Sequence, residues 1–527
     1  MMSSRLSQRL PVSVPGSFVR DATATAYHFS IGRRTSVLAT WLPVALAMVC
    51  CSRAVSDEAI SDFEFLIETS LIETSSLDTT NSSLTQASAA LPSDIQSYET
   101  DPVVLDELIR LRQRLDWLEN AKTPIDSQST HDVIYDGGWM LRPRDASATP
   151  FQMRIGLHSQ FRYTNFGSDI DSFVDAAGNA TSIRDRNDFD INRGRLVFDG
   201  FVFDEDVGYY VNIDFNTVSP SPIQLLLSWI SFRCSDALTL YLGLGKLPGS
   251  WEWEQSSRFP LGIERTLATT FFRPSISAGL WATGSFAESV FYRAMIADGF
   301  NTFSLRAAEL DTNFAYSTLW WWEPLRRWSD EEFGVGFSDH EHHRKPSVRL
   351  GHGLTQNTND ETFLDSPGPE QTVIRLSDGT RLVTPDALQA GETVGSFDQW
   401  LYTIHAGVKF RGWSLSSEGF FRWLRNIQSV DGDDLRSLFD SGFFMQAGAF
   451  VVPERVELFA RTSEVHGDFG HGREVSAGLN WYLFSTRSAR GTIEITELED
   501  SPAQQSRTAF VAGGNGTIVQ AQLWTFF

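Results

Sequence analysis

Cysteine, lysine and long apolar runs are all scarce in this chain of 527 residues. Its three cysteines are too few for a disulfide scaffold. Only four of the 43 basic residues are lysine, so arginine, which keeps its charge in any environment, carries almost all of the positive charge. After residue 54 no apolar run reaches 18 residues, which excludes a bundle of membrane-spanning helices.

The composition is acidic and rich in aromatic rings. The net charge of −23 argues against nucleic acid as a partner, because phosphate backbones are bound by clustered cations. With 42% hydrophobic and 21% charged residues, the chain is too apolar to be disordered throughout. The 39 Phe, 16 Trp and 11 Tyr are more rings than a compact soluble protein needs, so the fold must give them a surface to face.

Residues 1–54 have the pattern of a secretory signal peptide with a long N-terminal region. Arg33 and Arg34 precede an apolar run at 36–50, which is interrupted by Pro43 and followed by small residues. This run is too short to span a bilayer, so we predict export of the chain rather than anchoring.

Residues 55–149 are predicted to precede the main folded domain. Positions 55–102 are rich in Ser, Thr, Asp and Glu and are predicted to form a disordered linker. Segment 103–121 has apolar residues at 4-3-4-3 spacing, which indicates a short coiled-coil helix or, alternatively, an amphipathic helix packed on its own domain. A second linker, 122–149, follows. The heptad positions are Val104, Leu108, Leu111, Leu115 and Leu118.

From about residue 150 the hydrophobic period changes to two, the period of a β-strand. In 151–163 the odd positions are mostly apolar, whereas the even positions include Arg154, His158 and Arg162. The run would extend about 40 Å, which is long for a soluble sheet and suits a tilted membrane strand. Arg154 and Arg162 are therefore predicted to face the polar lumen of a barrel.

The same alternation recurs as far as the C-terminus. Such runs occur at 209–216, 239–244, 478–483 and 518–527. Because every backbone polar group must be paired inside a bilayer, strands can cross it only as a closed barrel. We therefore predict an all-β fold, a transmembrane antiparallel β-barrel over 150–527. Alternation alone leaves a soluble sandwich or propeller open as the alternative.

The predicted barrel gives the aromatic rings a place at the two membrane interfaces. Trp320–Trp322 and the Phe271–Phe272 pair are candidates for such a girdle. The chain also ends on Phe527, and a terminal aromatic residue is typical of bacterial outer-membrane barrels.

Several stretches of this region resemble the phosphate-selective porins O and P. The likeness covers roughly 150–527, and the order and spacing of the stretches carry it, because no single motif is diagnostic. The stretches are Phe189–Gly200, Gly208–Phe215, Leu240–Leu247, Gln255–Arg258, Ile263–Arg265, Glu457–Arg461 and Ala477–Leu483.

The resemblance implies a barrel of 16 strands, a homotrimer, a constriction loop folded into the lumen, and arginines that select anions. Arg193 matches a family arginine, Arg258 stands where the family has a lysine, and Arg265 follows the same glutamate as its counterpart. Arg195 shares a strand face with Arg193. The candidate pore-lining or anion-binding residues are therefore Arg154, Arg162, Arg193, Arg195, Arg258 and Arg265.

Physical chemistry leaves a second role open for these arginines. A guanidinium in a narrow pore attracts oxyanions, but lumen arginines also pair with carboxylates that stabilise the wall. Asp188, Asp190 and Asp199 are close enough in sequence to be such partners. The scarcity of lysine and the net charge of −23 argue against phosphate in particular. The residues thus predict a porin more strongly than a phosphate porin.

No catalytic step, cofactor or metal is predicted. The sequence contains no Gly-x-Ser-x-Gly, His-Glu-x-x-His, phosphate-loop or Cys-x-x-Cys pattern. Asp339–His343 gathers carboxylate and imidazole groups, yet neighbouring loop residues seldom converge on one ion, and Arg344 and Lys345 oppose a cation.

The sequence therefore predicts an outer-membrane porin for passive diffusion of small hydrophilic solutes, and not an enzyme. Its expected partners are outer-membrane lipid, small anions such as phosphate, and further copies of the chain in a homotrimer. Two alternatives stay open: a structural outer-membrane barrel with a closed lumen, and a secreted β-rich module that binds glycans through its rings. The sequence does not decide whether the polar stretch 355–396 enters the lumen.

Overall fold

The computed structural model describes residues 130–145, 150–218, 223–302, 310–329, 331–360 and 373–527. The predicted signal peptide (1–54), acidic linker (55–102) and coiled-coil helix (103–121) lie outside the described residues.

The described part of the chain consists almost entirely of strands. They are β1 (His131–Tyr135), β2 (Trp139–Pro143), β3 (Phe151–Ser168), β4 (Ser172–Val174), β5 (Ala180–Ser182), β6 (Arg186–Val202), β7 (Asp204–Phe215), β8 (Ile223–Ser235), β9 (Leu238–Lys246), β10 (Ile276–Ser285), β11 (Val290–Ala297), β12 (Ala315–Trp322), β13 (Ser347–Asp360), β14 (Val394–Phe410), β15 (Trp413–Ser429), β16 (Leu438–Val452), β17 (Val456–Gly467), β18 (Gly470–Tyr482), β19 (Ala489–Glu499) and β20 (Gly516–Phe526). The helices are α1 (Trp251–Glu254), α2 (Leu267–Phe272) and α3 (Arg326–Ser329), with a 3₁₀ turn at Leu483–Ser485. None of the described helices is both long and apolar enough to span a membrane.

Sixteen strands close into one antiparallel barrel. Strand β3 pairs with β6, each later strand pairs with the next, and β20 pairs back with β3 from Gly516↔Ser168 to Phe526↔His158. Closure leaves no unpaired edge among these strands, which is the condition for crossing a bilayer with β-structure. The predicted all-β antiparallel barrel is confirmed, as is the strand number that the resemblance implied.

A short hairpin precedes the barrel inside the segment that was predicted to be a linker, 122–149. Strands β1 and β2 pair with each other, and β2 pairs with the beginning of β3 at Leu141↔Met153. Each strand has only five residues, which is too few for alternation to be visible in the sequence.

The barrel wall is polar inside and apolar outside. On β14 the side chains of Gln399, Thr403 and Lys409 are buried in the lumen, whereas Trp400 and Ile404 are 41% and 52% exposed on the outer face. On β3 the predicted parity also holds, since Arg162 is buried and the ring of Phe161 is exposed. This pattern is the reverse of a soluble sandwich and places the outer face against lipid. The chain is therefore an outer-membrane protein.

The two ends of the barrel differ in the length of their connections. One end, here called the terminal mouth, holds the C-terminus and short turns such as Arg411–Gly412, where φ is 51° and 81° as a tight hairpin turn requires. The other end, here called the loop mouth, carries all of the long connections except 323–346, which lies at the terminal mouth. The connections at the loop mouth are 169–185, 247–275, 298–314, 361–393 and 500–515.

The aromatic girdle is partly where the sequence placed it. Trp322 is exposed near the terminal mouth, and Trp320 stacks on Tyr292 of the neighbouring strand with ring centroids 5.3 Å apart. The expectation for Phe271 and Phe272 was wrong. Both rings belong to α2 and are buried in a lumen cluster, because the segment between β9 and β10 folds inward.

Candidate functional site

The lumen is narrowed by the segment between β9 and β10, residues 247–275, here called the inward loop. Leu261, Ile263 and Leu267 of this loop are fully buried within the barrel. The loop carries α1 and α2, and α2 packs against β15, β16 and β17. The constriction loop that the resemblance implied is thus present, and it comes from 247–275 rather than from the polar stretch 355–396.

The described residues of that stretch that connect β13 to β14, 373–393, stay at the loop mouth. Its Leu376, Leu382 and Val383 pack on the lumen side of β14, β15 and β16 near their ends. This packing covers the lumen side of those strand ends.

A carboxylate on the barrel wall holds the start of α1. Glu418 of β15 accepts hydrogen bonds from the backbone N–H groups of Trp251 (2.7 Å) and Glu252 (3.0 Å), and from the Ser250 hydroxyl (3.1 Å). The two backbone N–H groups belong to the first turn of α1 and have no partner within the helix, so the carboxylate satisfies them in place of water.

Two further wall carboxylates hold the rest of the inward loop. Glu494 of β19 accepts from the N–H of Ile263 (2.6 Å), and Glu474 of β18 accepts from the N–H of Leu267 (2.7 Å). Arg461 of β17 lies between the two carboxylates, 2.8 Å from Glu474 and 2.9 Å from Glu494. The loop is therefore tied to the β15–β19 side of the barrel by buried, charge-assisted hydrogen bonds.

A second segment enters the lumen from the terminal mouth. It connects β12 and β13 (323–346), and its Phe333 and Phe337 contact the ring of Trp251 in the inward loop. Lys409 of β14 donates to the carbonyls of Phe333 (3.0 Å) and Val335 (3.2 Å). The two inward segments thus meet in an apolar cluster that fills part of the lumen.

An open cavity of about 500 Å³ remains between the inward loop and the wall formed by β3 and β6–β11. One carboxylate, Glu254, and eight basic side chains are among its lining residues. The basic residues are Arg193, Arg195, Lys246, Arg258, Arg265, Arg273, Arg293 and Arg507. In a chain of net charge −23, this cavity is strongly electropositive.

Three of the predicted arginines form buried groups in which two guanidiniums share one carboxylate. Arg162 and Arg193 both bind Glu264 of the inward loop, and Arg193 lies 2.8 Å from Oε2. Arg195 and Arg507 share Asp214 at 2.9 and 2.6 Å. Each group keeps one excess positive charge.

The partners that proximity in the sequence suggested are not the partners of Arg193 and Arg195. Asp188 and Asp190 bind Arg186, and Asp199 binds Arg154 at 2.7 Å. A bulge at Asn192 turns both Asn192 and Arg193 toward the lumen, where the inward loop supplies Glu264. Arg193 and Arg195 therefore pair with carboxylates from elsewhere in the chain, whereas Arg154 pairs with Asp199, one of the three carboxylates that proximity in the sequence suggested.

The other predicted arginines are placed differently. Arg154 is part-exposed and lies outside the 500 Å³ cavity, in its ion pair with Asp199. Arg265 lines the cavity and donates to the carbonyls of Glu252, Trp253 and Gln255 at 2.9–3.3 Å. Arg258 lies over the ring of Phe526 with its guanidinium carbon 4.3 Å from the ring centroid. Arg258 and Arg265 form no ion pair with any described carboxylate.

Sequence reasoning missed four basic residues of the cavity: Lys246, Arg273, Arg293 and Arg507. Lys246 donates to three carbonyls at the end of α1, at 2.9–3.2 Å, and Arg273 donates to the side-chain amide of Gln505. Lys246 lies in the stretch Leu240–Leu247 that resembles the porins, and the scarcity of lysine in this chain was the signal that could have singled it out. Arg273 and Arg507 lie on loops, where alternation gives no information.

Burial and neighbouring charges shift the pKa values of Glu264 and Arg273 in the inward loop. Burial raises the pKa of the Glu264 carboxyl, but Arg193 and Arg162 outweigh it, so the net shift is downward and the group stays ionised. Burial, with Arg265 and Arg193 close by, lowers the pKa of the Arg273 guanidinium to about 9. Arg273 is therefore held charged at neutral pH at a cost in desolvation, which an incoming anion would offset.

Two smaller cavities share lining residues with the main cavity, one toward each mouth of the barrel. A cavity of about 370 Å³ shares Tyr210, Trp229 and Arg258 with the main one and reaches residues of the terminal mouth such as Glu205. A cavity of about 180 Å³ shares Arg273 and is lined by loop-mouth residues. Arg273 thus lines both the 180 Å³ and the 500 Å³ cavities, and Arg258 lines both the 500 Å³ and the 370 Å³ cavities.

The terminal-mouth segment is fastened by the residues that were weighed as a metal site. His343 Nδ1 is hydrogen-bonded to Asp339, and Nε2 contacts the carbonyl of Glu332 at 2.7 Å. Both ring nitrogens face acceptors, so both hydrogen bonds form only when the imidazole is doubly protonated. Asp339 in turn accepts from the N–H of Gly412 at 2.6 Å, which ties the segment to the β14–β15 turn.

The hydrogen bonds of His343 to Asp339 and to the carbonyl of Glu332 predict that the stability of the protein depends on pH. The hydrogen bond to Asp339 raises the pKa of His343, although burial and the nearby Lys409 act in the opposite direction. The stabilisation from His343 is therefore fully present below the pKa of an unfolded histidine, about 6.5, and is lost as the pH rises through the raised pKa of the folded state. His343→Gln is expected to lower the free energy of unfolding by about 1–3 kcal/mol at pH 6 and by less at pH 9. Urea unfolding in detergent at both pH values measures this. A difference between wild type and variant that does not shrink at pH 9 would contradict it.

The closed barrel, its apolar outer face and its charged lumen together define an integral outer-membrane protein. No protein-family model and no curated protein matches the chain. Among solved structures, the anion-selective porin from Comamonas acidovorans is similar with a TM-score of 0.45 and 10% identity, over 72% of this chain and 100% of that chain. The outer membrane channel DcaP of Acinetobacter baumannii is similar with a TM-score of 0.44 and 9% identity, over 72% of this chain and 99% of that chain. OmpT of Vibrio cholerae in its trimer form is similar with a TM-score of 0.42 and 11% identity, over 71% of this chain and 99% of that chain. The resemblance to the phosphate-selective porins O and P stays a prediction.

Proposed function

We propose that the protein is a passive outer-membrane channel for small hydrophilic solutes that prefers anions. The observation that carries the proposal is the 500 Å³ cavity, whose lining has eight basic side chains and one carboxylate. A pore selects by the sign and spacing of the charges that line it, and several moderate sites in series allow passage. Cations that already donate to carbonyls or share a carboxylate hold an anion less tightly than free ones, which favours throughput.

The path past Arg273 and Arg258 supplies these sites in series. Arg258 lies where the two larger cavities meet, and Arg273 lies where the main cavity meets the one near the loop mouth. Of the six arginines in the candidate site, we assign selectivity to Arg258 and Arg265, and wall stabilisation mainly to Arg154, Arg162, Arg193 and Arg195. Assembly as a homotrimer and binding of phosphate, both implied by the resemblance, belong to the same proposal.

Planar-bilayer recording of the full-length chain tests the channel. We expect conductance steps in groups of three, a reversal potential in a KCl gradient that indicates anion preference, and partial block on titration with phosphate. The apolar cluster of Trp251, Phe333 and Phe337 favours one rival, the structural barrel with a closed lumen. Absence of conductance from protein that keeps its β-structure in detergent would support that rival.

Charge reversal at Arg258 tests the selectivity assignment. Arg258→Glu is expected to move the reversal potential toward cations, because it replaces a cation without a carboxylate partner by an anion at the meeting of two cavities. Arg258→Gln should give an intermediate value, and Arg425→Glu, at an exposed position of β15, should change nothing. An unchanged reversal potential in Arg258→Glu would remove this residue from the selectivity path.

A further inference from the structure

We propose that the preferred solutes of this path are organic anions in which an oxyanion group is attached to a flat apolar ring, rather than inorganic anions. This inference rests on the proposed anion channel and adds the class of solute. It is carried by the combination, in one cavity, of aromatic and aliphatic surface with cations that form no ion pair with a described carboxylate.

Three cations without a carboxylate partner surround one indole ring. Lys246, Arg265 and Arg273 lie 5.2, 4.7 and 4.9 Å from the ring of Trp253. None of the three forms an ion pair with a described carboxylate, since Lys246 and Arg265 donate to backbone carbonyls and Arg273 to an amide. An oxyanion is the natural counter-charge for such a group, and guanidinium offers it paired N–H donors.

The same cavity has an apolar wall that an inorganic anion does not use. Leu226 and Ile276 pack with Trp253, and Leu227 lies partly exposed beside them. A hydrated phosphate or chloride ion gains nothing from contact with this surface, whereas an apolar ring gains by leaving water. The size of the cavity, about 500 Å³, also falls in the range of sites for small organic ligands.

Aromatic rings continue along the route to the terminal mouth. Tyr210 and Trp229 are stacked with centroids 5.2 Å apart, are both partly exposed, and line both larger cavities beside Arg258. Rings and cations therefore alternate along the path: Trp253 with its three cations, then Tyr210 and Trp229 with Arg258. A solute with a ring and an oxyanion can therefore make both an aromatic contact and an ionic contact at each of these two places.

A polar group without a partner marks the same junction. His158 is only 4% exposed, lines both larger cavities, and neither of its ring nitrogens has a hydrogen-bond partner among the described residues. Its ring lies edge-on to Phe526 at 4.5 Å, within the aromatic part of the route. An imidazole there can donate a hydrogen bond to a solute oxygen.

The test compares two anions that differ only by a ring. Chloride current through the full-length protein in planar bilayers is titrated with inorganic phosphate and with phenyl phosphate, and phenol serves as the neutral ring. We expect phenyl phosphate to block at a concentration about tenfold lower than phosphate, with no block by phenol at those concentrations. Equal block by the two phosphates, or equal block by phenol and phenyl phosphate, would overturn the inference and leave the anion channel standing. Loss of anion preference in the KCl gradient would instead overturn the proposed function.

Variants locate the ring contact. Trp229→Leu keeps an apolar side chain of moderate size. It is expected to reduce the ratio of the blocking concentration of inorganic phosphate to that of phenyl phosphate at least about threefold. Trp400→Leu, on the outer face of β14, is the matched control and should leave the ratio intact. An unchanged ratio in a folded Trp229→Leu barrel would exclude this ring contact. If Trp229→Leu does not fold, the comparison of the two phosphates on the wild-type protein decides the inference.

Discussion

Replacing Glu264 by glutamine is expected to lower the free energy of unfolding by about 3–5 kcal/mol. The carboxylate lies between Arg162 and Arg193, and all three side chains are at most 5% exposed. Glutamine has nearly the same shape but no charge, so two guanidiniums would be left in the barrel interior without their counter-ion. Burying an uncompensated charge costs far more than an isosteric change of side chain.

Urea unfolding in detergent, followed by heat-modifiable gel migration, measures this effect. Asp199→Asn is the matched control, since Asp199 also pairs with an arginine, Arg154, but the pair is 26–39% exposed. An exposed pair of this kind contributes about 1 kcal/mol or less. Similar losses in the two variants would contradict the role assigned to Glu264.

The second large effect is expected from Glu418→Ala, which removes the anchor of α1. Three buried donors of Ser250, Trp251 and Glu252 would lose their acceptor, at a cost of about 1–3 kcal/mol each. Because these groups sit in the loop that narrows the lumen, the cost is expected to release the loop rather than to unfold the barrel, whose ladder hydrogen bonds are untouched.

Single-channel recording is the sharpest measure of that release. We expect the conductance of Glu418→Ala to rise about twofold or more and to fluctuate, because locally opened states of the loop widen the path. Glu464→Gln is the matched control, since Glu464 contacts His466, His471 and Arg473 and no residue of the inward loop. A steady conductance equal to that of wild type would show that Glu418 does not hold the constriction.

The class of fold could be predicted from the sequence because a barrel wall repeats one local rule. Each strand buries alternate residues, so the even positions of β3 and the odd positions of β14 face the lumen whatever the neighbouring strands are. The lumen parity of Arg154 and Arg162 follows from the same rule. The short hairpin at 131–143 escaped it because five residues per strand do not establish a period.

The candidate site could be predicted only in part, because half of it comes from loops. The alternation that placed Arg193 and Arg195 on one face says nothing about Arg273 or Arg507, which follow no strand period. It also cannot supply their partners: Glu264 lies 71 positions from Arg193 in the chain, and Asp214 lies 293 positions from Arg507. Sequence proximity favoured Asp188, Asp190 and Asp199, which bind other arginines.

The sequence by itself determined an all-β chain with arginines on the polar face of its strands, and its aromatic content and lack of long apolar runs favoured a closed membrane barrel over a soluble sandwich or propeller. Only the tertiary structure decided which arginines are neutralised and which remain open to a solute. The reason is that a guanidinium's role depends on the carboxylate next to it. In this barrel the inward loop brings Glu264 to two arginines and leaves Arg258, Arg265 and Arg273 without one.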